Sequence, residues 1–195
     1  NPAIIEHCLN IGVNQQGLIF YDGSPRNLDN DTLKIIYQYF QQFQDIFVGV
    51  FVNPSIEQIE EKLNLYNFQT IQLHGDENQE LIDKIKSQFQ KKIYKSISPE
   101  EFKVTNLKNI DRFLIEAKPN LKEQPGGNNK TWNWSNFENP LGHPFILSGG
   151  LNQNNIIEAI NLTGTEFIDI NSGVEEIKGE KNLSLIDSLI SSLKN

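Results

Sequence analysis

Two glycine-containing turns in the last third of the sequence have the composition of a phosphate-binding site. They are Ser148-Gly149-Gly150 and Asn171-Ser172-Gly173. Each follows a short apolar run and precedes a helical pattern. Glycine lets the backbone approach a ligand closely, and a helix that begins after the turn directs unpaired N–H groups toward the same point. Either turn alone could be only a tight connection, whereas two such turns side by side would form a cup for one phosphate group.

Four further side chains stand where predicted strands end: Arg26, His74, Glu116 and Asp169. Glu116 closes an apolar run, and an apolar setting raises the pKa of a carboxyl group and prepares it for proton transfer. The other three have simpler interpretations that stay open at this point. Arg26 could be a surface cation, His74 a hydrogen-bonded core histidine and Asp169 a buried structural carboxylate.

Short apolar strands that alternate with amphipathic helices are predicted along most of the chain. The predicted strands lie at residues 17–20, 46–52, 70–74, 92–97, 112–116, 144–148 and 166–170. Helical spacing of apolar residues predicts helices at 2–12, 55–66, 78–89, 153–162 and 183–193. A series of this kind indicates an α/β fold with a parallel sheet.

The order of these elements favours a (β/α)8 TIM barrel that forms a single domain over residues 1–195. Each helix of a right-handed βα series follows a strand, so the leading helix suggests that the first of eight strands is absent from the sequence given. Seven strands would leave two exposed sheet edges. An open doubly wound sheet is the alternative, but its phosphate turn normally follows its first strand. The two glycine turns come last here, where a barrel has its phosphate site.

Composition argues against several classes of partner. The chain has 17 Lys and Arg against 25 Asp and Glu, a net charge of −8, and no long basic run, so nucleic acid is not expected as a partner. No apolar run has the ~20 residues of a membrane span, and no signal peptide is expected. Cys8 is the single cysteine, which excludes an internal disulfide and fits a reducing compartment. We expect a cytoplasmic monomer.

Six blocks of sequence occur in the order found in one enzyme family. They are Gly17-Leu-Ile-Phe20 with Ser24-Pro-Arg26, Val48-Gly-Val-Phe-Val-Asn53, Ile71-Gln-Leu-His-Gly-Asp-Glu77, Pro125-Gly-Gly127 with Trp132-Asn-Trp134, Leu147-Ser-Gly-Gly-Leu151 and Asp169-Ile-Asn-Ser-Gly-Val-Glu175. Together they span essentially the whole chain, which resembles phosphoribosylanthranilate isomerase. The blocks Gln-Leu-His-Gly and Ser-Gly-Val-Glu are the most specific.

The resemblance implies a small (β/α)8 barrel that acts in tryptophan biosynthesis without metal or organic cofactor. Its substrate would be a small phosphorylated molecule, N-(5′-phosphoribosyl)anthranilate. An Amadori rearrangement, an aldose–ketose isomerisation, would convert it to 1-(2-carboxyphenylamino)-1-deoxyribulose 5-phosphate. In the implied mechanism a general acid protonates the ribose ring oxygen, the ring opens to an iminium, and a general base removes the proton at C2′.

Matched position by position, the resemblance assigns the general acid to Glu116 and places Asp169 near the reacting sugar. Arg26 matches the residue that meets the anthranilate carboxylate, a contact that suits the paired donors of a guanidinium group. The implied substrate-binding residues are Arg26, His74, Gly126, Gly127, Gly149, Gly150, Ser172 and Gly173.

The chain departs from the family at three points. The family's acid is an aspartate, and the extra methylene of Glu116 moves the carboxyl group by more than about 1 Å, a displacement that can lower a rate strongly. In the predicted loop 117–129, the family's Gly-Gly-Thr-Gly or Gly-Gly-Ser-Gly is Gly126-Gly-Asn-Asn129. The family's base is a cysteine of the first strand, which Cys8 on a packed helix face does not replace. We therefore expect no measurable turnover from residues 1–195 alone.

Two other functions stay open. The missing cysteine and the glutamate at position 116 also fit a barrel that binds a phosphorylated ligand without turnover. A related sugar-phosphate isomerase would share the glycine turns but would not need Arg26 or the Gln-Leu-His-Gly block.

Overall fold

The computed structural model describes residues 1–117 and 131–194. Its contacts divide the chain into two compact units. The first contains Asn1–Tyr94 and Leu107–Asp111, and the second contains Lys95–Asn106 and Arg112–Asn195. Within the described ranges, every helix is too short or too polar to cross a membrane.

The first unit alternates helices with parallel strands. Its elements are α1 Pro2–Asn10, β1 Gln16–Phe20, α2 Asn30–Phe40, a 3-10 helix Gln41–Phe43, β2 Phe47–Phe51, α3 Ile56–Leu65, β3 Thr70–Leu73, α4 Gln79–Phe89 and the start of β4 Lys92–Ile97. Strand β2 pairs with β1 on one side and with β3 on the other, both in parallel. The carboxyl ends of these strands therefore lie at one edge, where the turns that carry Asn53 and His74 begin.

Aromatic side chains fill much of the core of this unit. Phe47 and Phe68 are fully buried, and Tyr66 is 1% exposed. The Tyr66 ring packs edge-on against Phe47, and its hydroxyl donates to the Phe40 carbonyl oxygen over 2.6 Å. Burial raises the pKa of the Tyr66 hydroxyl above its ordinary value. The first helix contributes Cys8, which is 8% exposed as the apolar spacing predicts.

Side chains cap the starts of two helices where the sequence predicts a boundary. Ser55 forms a capping box with Gln58 at the start of α3, and Asn78 caps α4 through Leu81 N–H. Each cap provides an acceptor for an N–H group that has no partner inside the helix. The predicted helix at 55–66 is therefore confirmed almost to the residue.

The second unit holds the remaining elements. They are the end of β4, α5 Pro99–Phe102, β5 Arg112–Ile115, a 3-10 helix Trp134–Asn136, β6 Phe145–Leu147, α6 Ile156–Thr163, a 3-10 helix Ser172–Val174, β7 Glu175–Ile177, β8 Glu180–Lys181 and α7 Leu183–Lys194. Strand β6 pairs in parallel with β5, and Leu147 forms one further parallel bridge with Ile168. Strands β7 and β8 form an antiparallel hairpin.

Two predictions of element boundaries were wrong, and both for local reasons. The predicted strand 166–170 is reduced to the bridge at Ile168, and before it the Thr165 hydroxyl donates to the carbonyl of Phe167 and accepts from its N–H. The predicted helix 153–162 begins only at Ile156, after a turn in which the side chain of Asn155 accepts a hydrogen bond from Asn152 N–H. Such side-chain bonds offer the backbone an alternative to strand or helix.

Candidate active site

Glu116 follows strand β5 directly, at its carboxyl end. Its side chain is nearly buried, with 8% of the residue exposed. The Ser96 hydroxyl donates to Glu116 Oε1 over 2.8 Å, and the backbone N–H of Glu116 donates to the Ile97 carbonyl over 3.3 Å. The buried position expected for this carboxyl group is therefore observed, and its role as an acid stays a prediction.

Asp169 reaches the same edge of the second unit from the neighbouring segment. Its backbone N–H donates to the Leu147 carbonyl over 2.8 Å, and the Ser148 hydroxyl lies 3.4 Å from Oδ2. Ser148 in turn donates from its backbone to the Ile115 carbonyl, next to Glu116. The structure thus places Glu116, Ser148 and Asp169 at the carboxyl ends of successive parallel segments.

The two glycine turns lie side by side. Gly149 and Gly150 have φ values of 91° and 64°, a backbone conformation that residues other than glycine rarely adopt. A Cβ added to Gly173 would stand 1.9 Å from the Leu151 carbonyl oxygen, so only glycine allows the second turn to approach the first this closely. Gly173 belongs to the 3-10 helix Ser172–Val174, not to the start of a longer helix.

A partly buried ion pair supports the second turn. Lys181 Nζ donates to the Glu175 carboxylate over 2.8 Å and to the Asn171 carbonyl over 2.6 Å, and also contacts the Asn171 side-chain oxygen. The Glu175 side chain is 3% exposed. This lysine therefore connects strand β8 to the residues on both sides of Ser172 and Gly173.

Arg26 and His74 belong to the first unit. Arg26 lies in a turn after β1, half-buried, and its backbone N–H donates to the Ser24 hydroxyl over 3.1 Å. His74 directly follows β3, and its Nδ1 lies 3.2 Å from Gln72 Nε2. Because an amide nitrogen only donates, Nδ1 accepts this bond and the hydrogen of the neutral ring stands on Nε2.

The turn that carries His74 is fixed by a buried carboxylate. Glu77, 6% exposed, accepts hydrogen bonds from Asn53 N–H at 2.9 Å and from Gly75 N–H at 3.0 Å. Asn53 has φ of 47°, and its side chain accepts a bond from Asp76 N–H over 2.7 Å. A carboxylate that accepts backbone N–H groups makes charge-assisted bonds, so Glu77 connects the turns after β2 and β3 firmly.

Replacement of Glu77 by methionine is expected to lower the free energy of unfolding by at least about 2 kcal/mol, because two backbone donors then lose their acceptor. Urea unfolding followed by circular dichroism measures the change. The matched variant Glu80→Met removes an exposed carboxylate of α4 and should stay within about 0.5 kcal/mol of the parent protein. Equal unfolding midpoints for the two variants would show that the hydrogen bonds of Glu77 do not stabilise the fold.

Sequence reasoning placed some site residues and missed others. Gly126 and Gly127 lie outside the described residues, as does most of the predicted loop 117–129. The predictions did not include Ser96, Glu77 or Lys181 among the site residues. Ser96 could have been predicted as a site residue, because it is a polar residue near the end of a predicted strand. Nothing in the local sequence pattern shows that Lys181 contacts Asn171.

In the described ranges, no cluster of three or more His, Cys, Asp or Glu side chains has the arrangement of a metal site. The described candidate residues include carboxyl groups that can transfer protons, the His74 ring that can form hydrogen bonds, and the Arg26 guanidinium group and backbone N–H groups that can bind anions.

Comparison with known proteins identifies the family of the chain. Residues 2–192 match the profile of the family described as N-(5'phosphoribosyl)anthranilate (PRA) isomerase. The N-(5'-phosphoribosyl)anthranilate isomerase of Sinorhizobium fredii is 32% identical, over 97% of this chain and 88% of that protein.

Two crystal structures extend the comparison to the fold. Phosphoribosyl anthranilate isomerase from Thermus thermophilus is 23% identical, with a TM-score of 0.83 over 100% of this chain and 94% of that one. A phosphoribosyl anthranilate isomerase in complex with reduced 1-(o-carboxyphenylamino)-1-deoxyribulose 5-phosphate is 25% identical, with a TM-score of 0.74 over the same shares. These structures are (β/α)8 barrels, so the barrel predicted from the sequence is confirmed and the open doubly wound sheet is excluded.

Proposed function

The chain belongs to the N-(5'-phosphoribosyl)anthranilate isomerase family, and from this premise we propose that it converts N-(5′-phosphoribosyl)anthranilate to 1-(2-carboxyphenylamino)-1-deoxyribulose 5-phosphate in tryptophan biosynthesis. The observation that carries the proposal is the family match over residues 2–192, and the buried carboxyl group of Glu116 at the end of strand β5 supports it. The single cysteine agrees with a reducing compartment, so we place the enzyme in the cytoplasm.

Glu116 is the proposed general acid. It gives its proton to the ribose ring oxygen, the ring opens, and the nitrogen lone pair completes the iminium. Loss of the proton at C2′ then yields the enol that becomes the ketose. The near burial of Glu116 supports this role, because removal from water favours the protonated form of a carboxyl group. Asp169, at the same edge of the second unit, is proposed to contact the reacting sugar.

The phosphate group is proposed to bind at the two glycine turns. Gly149, Gly150, Ser172 and Gly173 provide backbone N–H groups and a hydroxyl, and Gly173 approaches the Leu151 backbone more closely than a side chain would allow. Successive backbone N–H groups in turns of this kind form concavities that bind anions. The negative net charge of the chain does not prevent phosphate binding, because the N–H donors lie next to the bound phosphate.

Arg26 and His74 are proposed to bind the anthranilate part of the substrate. The guanidinium group offers two parallel donors to the carboxylate. His74 offers a donor from Nε2, since Gln72 occupies Nδ1. Cys8 is not proposed as the base that removes the C2′ proton, because it is 8% exposed in helix α1.

Loss of substrate fluorescence tests the proposal most directly. The full-length protein is expected to consume phosphoribosylanthranilate, and calorimetry is expected to show binding of the reduced product analogue. Binding without turnover would instead favour a barrel that only binds its ligand. Turnover of another sugar phosphate, with no binding of the analogue, would favour a related isomerase.

Replacement of Arg26 by alanine is expected to weaken binding of the reduced product analogue by about 10- to 100-fold, because a charged hydrogen-bond donor is lost. Binding of inorganic phosphate should stay unchanged. Isothermal titration calorimetry with both ligands measures the difference.

The other arginine of the chain supplies a matched control. Arg112 stacks on the Phe167 ring, 3.4 Å from its centroid, at the start of β5, away from Glu116. Arg112→Ala should bind both ligands as the parent protein does. A loss of phosphate binding in Arg26→Ala equal to the loss of analogue binding would show that Arg26 is a phosphate-binding or structural residue.

A further inference from the structure

Lys181 holds the second glycine turn from the hairpin that follows it, and the proposed function gives this lysine no role. It lies in β8, where its Nζ donates to the Asn171 carbonyl oxygen over 2.6 Å and also contacts the Asn171 side-chain oxygen. The same ammonium group donates to Glu175 Oε1 over 2.8 Å. One cation therefore joins the residue just before the 3-10 helix Ser172–Val174 to the residue just after it.

The contact with the Asn171 carbonyl sets the direction of a proposed phosphate donor. The Asn171 carbonyl and the Ser172 N–H belong to one peptide group, which is planar and trans. In such a group the C=O and N–H bonds point in opposite directions. Because the carbonyl points toward Lys181, the Ser172 N–H points away from it, and a rotation of this peptide would redirect the donor.

Backbone contacts hold the rest of the turn. Asn182 N–H donates to the Val174 carbonyl over 2.9 Å, and a Cβ on Gly173 would stand 1.9 Å from the Leu151 carbonyl oxygen. At the Asn171 carbonyl the backbone contact is weak, since Val174 N–H lies 3.5 Å away. The short contact there comes from the ammonium group, so the orientation of this peptide depends on a side chain.

Glu175 separates the geometric effect of the lysine from the effect of its charge. A lone ammonium group near the turn would attract phosphate by its charge alone. The Glu175 side chain is 3% exposed, and its carboxylate lies 2.8 Å from Lys181 Nζ, so the two opposite charges largely cancel at longer range. What the lysine contributes to an anion site is therefore the orientation of the Asn171–Ser172 peptide.

We propose that Lys181 is a positioning residue of the phosphate site: through the Asn171 carbonyl it directs the Ser172 N–H toward the bound phosphate group. The inference rests on the proposed function, because it takes the two glycine turns as the place where the substrate phosphate binds. It assigns to Lys181 a part in binding and none in proton transfer.

Replacement of Lys181 by methionine in the full-length protein is expected to weaken inorganic phosphate binding about 10-fold and to raise KM for phosphoribosylanthranilate by a similar factor, because one N–H donor to the phosphate is misdirected. The value of kcat should stay nearly unchanged, since the phosphate group does not react. Lys178→Met removes the same charge from the exposed tip of the same hairpin and should change neither quantity. An unchanged KM in Lys181→Met, or an equal loss in Lys178→Met, would overturn the proposal.

A double variant removes the charge left behind in Lys181→Met. That single change leaves the Glu175 carboxylate without its cation, which could lower stability or repel phosphate. Lys181→Met with Glu175→Leu replaces the pair by apolar side chains, a change that buried ion pairs often tolerate. The double variant should unfold near the parent temperature and still bind phosphate about 10-fold more weakly, because the Asn171 contact is still missing. Recovery of the parent affinity would overturn the proposal, because the unpaired carboxylate would then account for the loss.

Amide signals in nitrogen-15 spectra test the orientation without turnover. Saturating inorganic phosphate should shift the Ser172 and Gly150 signals of the parent protein, and in Lys181→Met the shift of Ser172 should become much smaller while that of Gly150 remains. Equal Ser172 shifts in the two proteins would overturn the role of Lys181 and leave the phosphate site intact. If neither signal of the parent protein responds to phosphate, the site at the glycine turns is wrong and the role of Lys181 with it.

Discussion

Glu116→Gln is expected to lower kcat of the full-length protein by a factor on the order of 10² to 10⁴, the usual contribution of a general acid. Glutamine keeps the size of the side chain and can still accept a hydrogen bond from Ser96, but it has no proton to transfer to the ribose oxygen. Calorimetry should show that the reduced product analogue binds about as tightly as before. Steady-state fluorescence with phosphoribosylanthranilate measures the rate.

Two further variants, Glu158→Gln and Glu116→Asp, serve as controls for this prediction. Glu158→Gln makes the same chemical change on the exposed face of helix α6 and should retain the full rate. Glu116→Asp keeps the proton and restores the family's residue, so it should retain far more activity than the glutamine variant. Similar rates for the glutamine variant and the parent protein would show that another group acts as the acid.

Gly173→Ala is expected to weaken inorganic phosphate binding by more than about 10-fold and to lower the free energy of unfolding by about 1–3 kcal/mol. The added Cβ would stand 1.9 Å from the Leu151 carbonyl oxygen and 3.2 Å from the Asn152 Cα, both backbone atoms. Because no flexible side chain can give way, the two glycine turns must separate. Calorimetry with inorganic phosphate and thermal unfolding measure the two effects.

A second glycine provides the control for this prediction. A Cβ added to Gly17 in strand β1 would meet only Val50 Cγ2 at 3.4 Å, an ordinary contact distance. Gly17→Ala should therefore bind phosphate normally and unfold near the parent temperature. Unaltered phosphate binding in Gly173→Ala would contradict a site at these turns, even if its stability fell.

Element order and type could be predicted because their signals are local. The strand predicted at 112–116 is observed as Arg112–Ile115, and the helix predicted at 78–89 is observed as Gln79–Phe89 after its Asn78 cap. Apolar spacing and capping residues act within a few positions of the chain, so a sequence carries them directly. The predictions at 153–162 and 166–170 went wrong where an Asn or Thr side chain bonded the backbone instead.

The sequence by itself determined the family, most of the succession of strands and helices, and the residue types at the strand ends, Glu116 among them. Only the tertiary structure decided which of these groups meet. It placed the Ser96 hydroxyl on Glu116, joined Asn53 to Gly75 through Glu77, and brought Gly173 against Leu151. The physical reason is that hydrogen bonds and close contacts depend on distances of a few ångströms between residues 20 or more positions apart in these cases. Periodicity and capping specify each element, but they do not specify such distances.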